Sequence, residues 1–228
     1  MSPIRRFFSN LASDKQTLKS LNFRQKIRFC YDYYRGYFFL FLVLCLIAFY
    51  VGDVIVQSRR DMVLQGFFTN DDYNLFPAKT IEKEVSSYLN LKGGQTVSLE
   101  DSLYVELGSH NEYITSSHSK IVAYISAKEL DFLVTSQELS GYYMSQLPLC
   151  DLETLMDAGV YDKLKDDLIY QKDGSGVLKA CGLDLSSSRY MKQAPPEAAP
   201  YILLVPSTAP HPEAVNAFIR YSYGLPLP

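Results

Sequence analysis

The 228-residue sequence predicts an α/β fold, a mostly parallel sheet flanked by helices, preceded by one transmembrane helix. Two observations support this prediction. A charge-free apolar run lies near the N-terminus, and after it short apolar runs alternate with segments of helical spacing. Apolar strands that alternate with helices are typical of a parallel sheet covered on both faces. Hydrophobic residues make up 47% of the chain and charged residues 21%, which excludes wholesale disorder and collagen-like repeats.

Charge and apolarity divide the chain into a basic cytoplasmic segment, residues 1–35, a transmembrane helix, residues 36–56, and an extracytoplasmic domain, residues 57–228. Residues 1–35 carry eight Lys/Arg and two Asp, whereas the rest carries 14 Lys/Arg and 23 Asp/Glu. A nucleic-acid-binding domain needs its Lys and Arg in the bulk of the fold. We therefore expect no nucleic-acid partner.

The run from Tyr37 to Val56 predicts the membrane span. Its 20 residues form a helix of about 30 Å, which matches the hydrocarbon core of a bilayer. The excess of Lys/Arg before the run predicts a single-pass plasma-membrane protein with a cytoplasmic N-terminus and an outer C-terminal domain. A cleaved signal peptide is not expected, because 35 residues precede the apolar region and no small-residue cleavage site follows it. The alternative is a buried core helix, but such helices are seldom so uniformly apolar.

The first half of the outer domain predicts three strand–helix units. The apolar runs predict strands over Met62–Phe68, about Thr96–Leu107 and Leu130–Val134. Three helix starts follow these strands in turn: Pro77 opens a helix that Gly93 stops, Ser116 or Ser117 caps the next, and Thr135-Ser-Gln-Glu138 is a capping box for the third.

The second half predicts further helices and strands in a less regular order. The predicted helices are Asp151–Gly159, Tyr161–Tyr170 and one with Pro212 near its start that Gly224 ends. The predicted strands are Val177–Leu185 and Tyr201–Val205, separated by a proline-containing loop over Gln193–Pro200.

Three passages resemble extracytoplasmic solute-binding proteins of the type 2 periplasmic-binding fold. Lys120–Val134 is similar to that family's helix, turn and Asp-led strand. Leu147–Leu155 is similar to its Asp-Leu helix start, and Lys179–Leu185 to its Gly-containing strand. Val205–Arg220 is similar to its closing strand and helix. The resemblance covers about residues 62–224 and implies a bacterial cell-envelope protein.

The resemblance implies one lobe only. In the family a second lobe, the size of a small domain, follows the Gly-containing strand, whereas here only Ser186–Pro200 precedes the closing strand. Solutes of this family are enclosed between two lobes that close by a hinge motion. A single lobe cannot enclose a solute, although it can bind one weakly or present the same surface to a protein.

A ligand site in an open α/β sheet is expected beyond the carboxyl ends of the strands. The polar loop residues at those ends are the candidate ligand-binding residues: Thr69, Asn70, Asp71, Ser109, Thr135, Ser136, Gln137 and Ser207. The same residue types also form ordinary caps and turns, and that interpretation stays open beside the first.

The sequence offers no pattern for catalysis. It contains no nucleophile elbow, phosphate loop or dinucleotide fingerprint. His110-Asn-Glu112 matches the first half of the zinc-deaminase signature, but the Pro-Cys-x-x-Cys half is absent. His110, His118 and His211 are predicted to be solvated loop residues rather than metal ligands. We expect no catalytic residue, no metal and no cofactor, and we predict that the protein is not an enzyme.

Cys150 and Cys181 are the only cysteines of the outer domain. An oxidising exterior permits one disulfide between them, and the alternative is two separate buried thiols.

The sequence thus predicts a membrane-anchored extracytoplasmic binding or interaction module that docks on another membrane or envelope protein. An accessory receptor that delivers a small solute to a transporter is the alternative, and a cell-envelope hydrolase is a third interpretation.

Overall fold

A computed structural model describes residues 22–58, 61–172, 176–198 and 200–227. The chain divides into two compact units, Met1–Arg59 and Arg60–Pro228. Most of the predicted basic segment, residues 1–21, lies outside the described residues, as do Arg59 and Arg60.

The described residues of the first unit form one helix, α1, over Phe23–Ser58. Its side chains are described from Phe38 to Asp53, and all of these are exposed except Val43, which is half-buried. Among the side chains that the structure describes, no helical stretch is both long enough and apolar enough to cross a membrane.

The second unit is an α/β domain with six strands. The strands are β1 (Asp61–Thr69), β2 (Gln95–Leu103), β3 (Phe132–Ser136), β4 (Leu168–Lys172), β5 (Leu178–Asp184) and β6 (Tyr201–Leu204). The helices are α2 (Ala78–Tyr88), α3 (Glu112–Ser126), α4 (Gln137–Gln146), α5 (Leu152–Leu155), α6 (Ala158–Leu164) and α7 (Pro212–Ser222). Two short 3₁₀ helices lie at Lys165–Asp167 and Met191–Gln193.

The six strands form one sheet in the order β2-β1-β3-β6-β5-β4. β1 pairs in parallel with β2 and β3, whereas the β3–β6, β6–β5 and β5–β4 pairs are antiparallel. The predicted α/β fold with flanking helices is confirmed, but the sheet is mixed rather than mostly parallel.

The connections between β4, β5 and β6 are consistent with the mixed sheet. Parallel neighbours need a crossover connection of a dozen or more residues, usually a helix, whereas antiparallel neighbours can be joined directly. Only five residues separate β4 from β5, so a short loop returns the chain antiparallel. The β5–β6 connection is longer, but its described residues contain the 3₁₀ helix Met191–Gln193 and no crossover α-helix.

We call the edge at which β1, β2, β3 and β5 end the carboxyl edge. The opposite edge, where these four strands begin and β6 ends, is the amino edge. At both of these edges, loops connect the sheet to its helices.

The core lies on both faces of the sheet. On one face Phe68, Phe132 and Phe218 pack together, and the Phe132 and Phe218 rings are stacked with centroids 4.3 Å apart. The other face buries Phe67 and Tyr143 against α3 and α4. Alternate side chains of a strand point to opposite faces, so β1, β2, β3 and β6 supply both clusters.

Two predicted helices are wrong in part. The Asp151–Gly159 helix is interrupted, because the Asp157 carboxylate accepts hydrogen bonds from the backbone N–H groups of Gly159 (3.1 Å) and Val160 (3.2 Å) and so starts α6. The predicted helix Tyr161–Tyr170 ends early: its last three residues, Leu168–Tyr170, belong to β4, whose backbone pairs with β5.

Two predicted helix starts are also wrong. Helix α3 begins before Ser116, since the Asn111 side chain accepts a 2.9 Å hydrogen bond from Tyr113 N and caps the helix. The capping box at the start of α4 does not form: the N-cap is Ser136, and its side chain makes no capping bond within the described residues.

Candidate functional site

The carboxyl edge brings together seven of the eight predicted ligand-binding residues. The strand order β2-β1-β3 places the loops after these three strands side by side. Thr69, Asn70 and Asp71 lie at the end of β1, Ser109 follows β2, and Thr135, Ser136 and Gln137 lie where β3 meets α4.

Ser207 does not join this group. It follows β6, which runs antiparallel to its neighbour β3, so its loop lies at the amino edge. There its backbone N–H donates a 2.9 Å hydrogen bond to the carbonyl oxygen of Pro148. The expectation that all four polar loops meet at one edge fails for Ser207, because the direction of β6 is opposite to that of β1 and β3.

Thr69 and Thr135 face each other inside the sheet. Both residues are fully buried, and Thr69 Oγ1 lies 2.8 Å from Thr135 Oγ1 and 3.3 Å from the carbonyl oxygen of Val134. Buried hydroxyls are stable only when they are hydrogen-bonded, and these two satisfy each other. Neither hydroxyl is exposed to a solute at this edge.

Asn70 ties the end of β1 to the chain that follows β2. Its side chain donates a 2.9 Å bond to the carbonyl of Val105 and accepts a 2.8 Å bond from Val105 N. Its φ of 57° lies in the left-handed region, which Asn adopts more readily than most residues. The carbonyl of Asn70 accepts a 2.5 Å bond from the Tyr201 hydroxyl. Burial, and secondarily the Asp71 carboxylate, raises the pKa of Tyr201, so this hydroxyl stays a neutral donor.

Asp71 closes the loop between β1 and α2. One carboxylate oxygen accepts a 2.7 Å bond from Leu75 N, and the other accepts a 2.7 Å bond from Phe76 N. Ser109 Oγ accepts a longer bond of 3.4 Å from Asn111 N. The Asn70, Asp71 and Ser109 side chains are therefore used to hold the loops, and only Gln137 among the seven predicted residues is exposed.

Beside its exposed polar residues, the carboxyl edge exposes four large aromatic or apolar side chains. We call them the aromatic patch: Tyr73 (47% exposed), Tyr104 (39%), Leu107 (48%) and Tyr113 (55%). Tyr73 lies on the loop after β1, and the other three lie after β2, the neighbouring strand. Apolar periodicity does not predict this patch, because it identifies buried faces only; the large side chains directly after the strand ends are the signal in the sequence.

The three histidines differ in their surroundings. His110 is exposed in a loop, as predicted. His118 lies instead on α3, where its ring packs against Tyr142 and Tyr143 with centroids 5.9 and 6.0 Å away. His211 lies in the loop before α7, but its ring contacts the Asp131 carboxylate and is not simply solvated. Among the described residues no group of three or more His, Cys, Asp or Glu side chains is arranged to hold a metal ion.

His211 is held by the fully buried Asp131. One carboxylate oxygen of Asp131 accepts a 2.8 Å bond from His211 N, and the other lies 3.0 Å from His211 Nδ1. The second oxygen also accepts a 2.7 Å bond from Gln65 N. Asp131 thus fastens the loop before α7 to the sheet at the amino edge, a contact that sequence reasoning missed because the two residues lie 80 positions apart.

Cys150 and Cys181 are both in the reduced form in the structure. Cys181 lies at a register shift in β5, where Ile169 pairs with Gly182 but Tyr170 pairs with Ala180. Burial raises the pKa of the Cys150 thiol, and the nearby Asp151 carboxylate and Cys181 raise it further. A disulfide between the two cysteines stays a prediction that a thiol count tests.

No protein-family model matches this chain, and no curated protein is similar enough in sequence to be counted as a relative. Function must therefore be argued from the surface that the fold presents.

Proposed function

We propose that this protein is a membrane-anchored extracytoplasmic interaction module, resembling one lobe of a solute-binding protein, that docks on another membrane or envelope protein through its carboxyl edge. One observation carries the proposal: the Thr69, Asn70 and Asp71 side chains of this edge are used in internal hydrogen bonds, while the aromatic patch is exposed.

The membrane anchor of this proposal is the segment Tyr37–Val56. The described part of that segment exposes apolar side chains on every side of helix α1, including Phe38 (70%) and Phe49 (79%). A helix that is apolar all round is stable only in an apolar environment. The basic N-terminal segment orients the anchor with its N-terminus in the cytoplasm.

The single lobe favours a protein partner over an enclosed solute. Strands β5 and β6 are neighbours in the sheet and pair from Gly182–Leu204 to Asp184–Ile202. The chain thus passes from the Gly-containing strand to the closing strand within the same sheet. A solute at the carboxyl edge would stay open to solvent, whereas a protein could cover the edge itself.

The aromatic patch has the chemistry of a protein interface. Tyrosine is enriched in interfaces because it buries a large apolar ring at a low cost in conformational entropy and keeps a hydroxyl for hydrogen bonding. The loops that carry Tyr73 and Tyr104 are held by the Asp71 and Asn70 side chains, so the patch is ordered before a partner binds. Preorganised surfaces lose less entropy on binding.

Site-specific photocrosslinking tests this proposal. A photoreactive phenylalanine analogue replaces Tyr104 in the full chain in its native membrane, and a second variant carries it at Tyr170. The two tyrosines are matched controls, since they are 39% and 41% exposed and lie on different parts of the sheet. We expect one discrete protein adduct from position 104 and none of that mass from position 170. The same adducts from both positions, or none from either, would overturn the docking site.

A thermal-shift screen tests the alternative of a solute receptor. Sugars, amino acids and metal ions are added to the full chain in detergent, and we expect no change in the melting temperature of the α/β domain. A ligand that binds the folded state raises the melting temperature by mass action. A saturable rise with one solute would replace the protein-docking proposal with the receptor.

A further inference from the structure

We infer that the docking partner inserts an arginine side chain into a cleft between α3 and α4, where Glu106 and a wall of aromatic rings receive its guanidinium group. We call this space the α3–α4 cleft. The inference rests on the proposed docking at the carboxyl edge and deepens it, because it names the chemistry by which the partner is recognised.

The α3–α4 cleft lies at the carboxyl edge beside the aromatic patch. Its volume is about 300 Å³, and the loop after β2 forms one side of it through Glu106 and Leu107. Ile114 and His118 of α3 and Tyr142 of α4 also line it. Leu107 belongs to the aromatic patch as well, so the cleft is continuous with the proposed docking surface. Pockets for drug-sized ligands span about 300–1,000 Å³, so a cleft of this volume suits a single side chain.

Three aromatic rings give the cleft an ordered wall. The His118 ring centroid lies 5.9 Å from that of Tyr142 and 6.0 Å from that of Tyr143, and the two tyrosine centroids lie 5.4 Å apart. All three pairs meet edge to face. Tyr143 is fully buried, so it supports the half-buried rings of His118 and Tyr142 from inside. Such rings attract a cation, and arginine makes this contact more often than lysine.

The charges around the cleft favour a cationic group. Glu106 is exposed, and its carboxylate forms no hydrogen bond or ion pair with a described residue. No Lys or Arg is among the described residues that line the cleft. Helices α3 and α4 expose two more carboxylates, Glu112 and Glu138, and their one lysine, Lys120, is ion-paired with Glu100. The cleft therefore repels a carboxylate or a phosphate and attracts a cation.

The basic residues elsewhere at the carboxyl edge belong to the other face of the sheet. Lys79 lies on α2, whose buried residues pack in the same cluster as Phe68. Lys165, Arg189 and Lys192 each adjoin in sequence a residue that packs in or against that cluster. The α3–α4 cleft lies on the face of the second cluster, so these four charges do not neutralise Glu106.

Arginine fits these groups better than lysine does. Its planar guanidinium donates two parallel hydrogen bonds to a carboxylate and stacks on aromatic rings, whereas the lysine ammonium is a compact and strongly hydrated charge. The apolar stem of an arginine packs against side chains such as Leu107 and Ile114. Arginine is also one of the residues that contribute most to binding at protein interfaces. The cleft therefore predicts a partner that presents an arginine to Glu106.

NMR of the histidine side chains, recorded on the full chain in detergent, tests the cleft without the partner. The chain has three histidines, and His118 lines the cleft whereas His211 lies at the amino edge. The probe is N-acetylarginine amide, its neutral control is N-acetylcitrulline amide, and His118→Gln assigns the resonance. We expect the arginine probe to shift the His118 resonance saturably and to leave His211 unchanged. The citrulline probe should bind at least about fivefold more weakly, because it lacks the charge.

Two carboxylate substitutions test the role of Glu106. Glu106→Gln should weaken binding of the arginine probe by about fivefold, the upper range for one exposed ion pair. Glu138→Gln is the matched control, since Glu138 is also exposed but does not line the cleft, and it should leave the binding nearly unchanged. No response of His118, equal binding of the two probes, or equal effects of the two substitutions would overturn the inference.

Photocrosslinking from position 104 separates failure of this inference from failure of the docking site. We expect Glu106→Gln to lower the adduct yield at least about twofold and Glu138→Gln to leave it unchanged. An adduct whose yield is unaffected by Glu106→Gln overturns the arginine contact and leaves the docking site intact. Absence of the adduct without either substitution overturns both together. Circular dichroism spectra and melting temperatures that match the unsubstituted chain ensure that the variants are folded.

Discussion

Gly66 lies in the middle of β1 with the Phe132 ring directly over its Cα, and this contact makes the substitution Gly66→Ala informative. A Cβ built at position 66 would lie 2.1 Å from Phe132 Cζ, 2.3 Å from Cε1 and 2.6 Å from Cε2. Carbon atoms in packed interiors approach to about 3.5–4.0 Å. The ring would therefore have to retreat by about 1.5 Å.

The packing around Phe132 prevents that retreat. Its ring is fully buried, stacks on Phe218 at 4.3 Å, and meets the edge of Phe68 at 5.8 Å. Overpacking of a core typically costs about 1–3 kcal/mol. A strand alanine recovers about 0.5–1 kcal/mol of backbone entropy relative to glycine. Because three ring atoms are affected, we expect Gly66→Ala to destabilise the domain by about 2 kcal/mol net.

Urea unfolding of the full chain in detergent, followed by near-UV circular dichroism of the tyrosines, measures this effect. Gly93→Ala is the matched control, since no heavy atom of the described residues lies within 4 Å of a Cβ at that position. We expect the control to be neutral or more stable by a few tenths of a kcal/mol.

A double-mutant cycle with Phe132→Leu identifies the cause. The smaller side chain removes the overlap, so the double variant should be more stable than the sum of the two single effects predicts, by about 1 kcal/mol or more. An unchanged urea midpoint for Gly66→Ala, or a strictly additive cycle, would refute the packing argument.

Three further predictions test other contacts of the domain. Hydrogen bonds from Arg220 and then Asn216 lower the pKa of Asp157 from 3.8 to about 2, so the ionised Asp157 stabilises the folded state fully above about pH 4, and this stabilisation is lost as the pH falls through 2. The unsubstituted chain should therefore be more stable than Asp157→Asn above about pH 4, and the difference should vanish as the pH falls to about 2. A difference that does not change with pH would contradict this prediction. The unfolded, unreduced chain should titrate four thiols, whereas a count of two would show a disulfide such as Cys150–Cys181. Thr69→Val leaves the Thr135 hydroxyl without its partner and should lower the free energy of unfolding in urea by about 1–3 kcal/mol. The double variant Thr69→Val, Thr135→Val should lose less stability, because it leaves no unpaired hydroxyl. An equal loss in both variants would argue against the paired hydroxyls.

Local patterns in the sequence correctly predict where several elements lie. Apolar runs located β1, β5 and β6 to within a residue or two, because each strand is buried for most of its length. Helical spacing after Pro212 located α7, whose inner residues include Val215 and Phe218. Asp151 was predicted as a cap and is one. These features depend on neighbours in the chain, and such features can be read from a local pattern.

The arrangement of these elements in the sheet is seen in the tertiary structure and does not follow from local sequence patterns. Burial patterns state which residues are inside but not which way a strand runs, so the antiparallel β6 and the displacement of Ser207 to the amino edge could not be foreseen. Thr135 does not cap α4 as predicted, because its hydroxyl is buried and hydrogen-bonded to Thr69, 66 positions earlier. In the same way, Asp131 bonds His211 only because β3 and the loop before α7 meet. A polar side chain takes the hydrogen-bond partner that folding brings to it, and when that partner is distant in sequence, no local pattern records the choice.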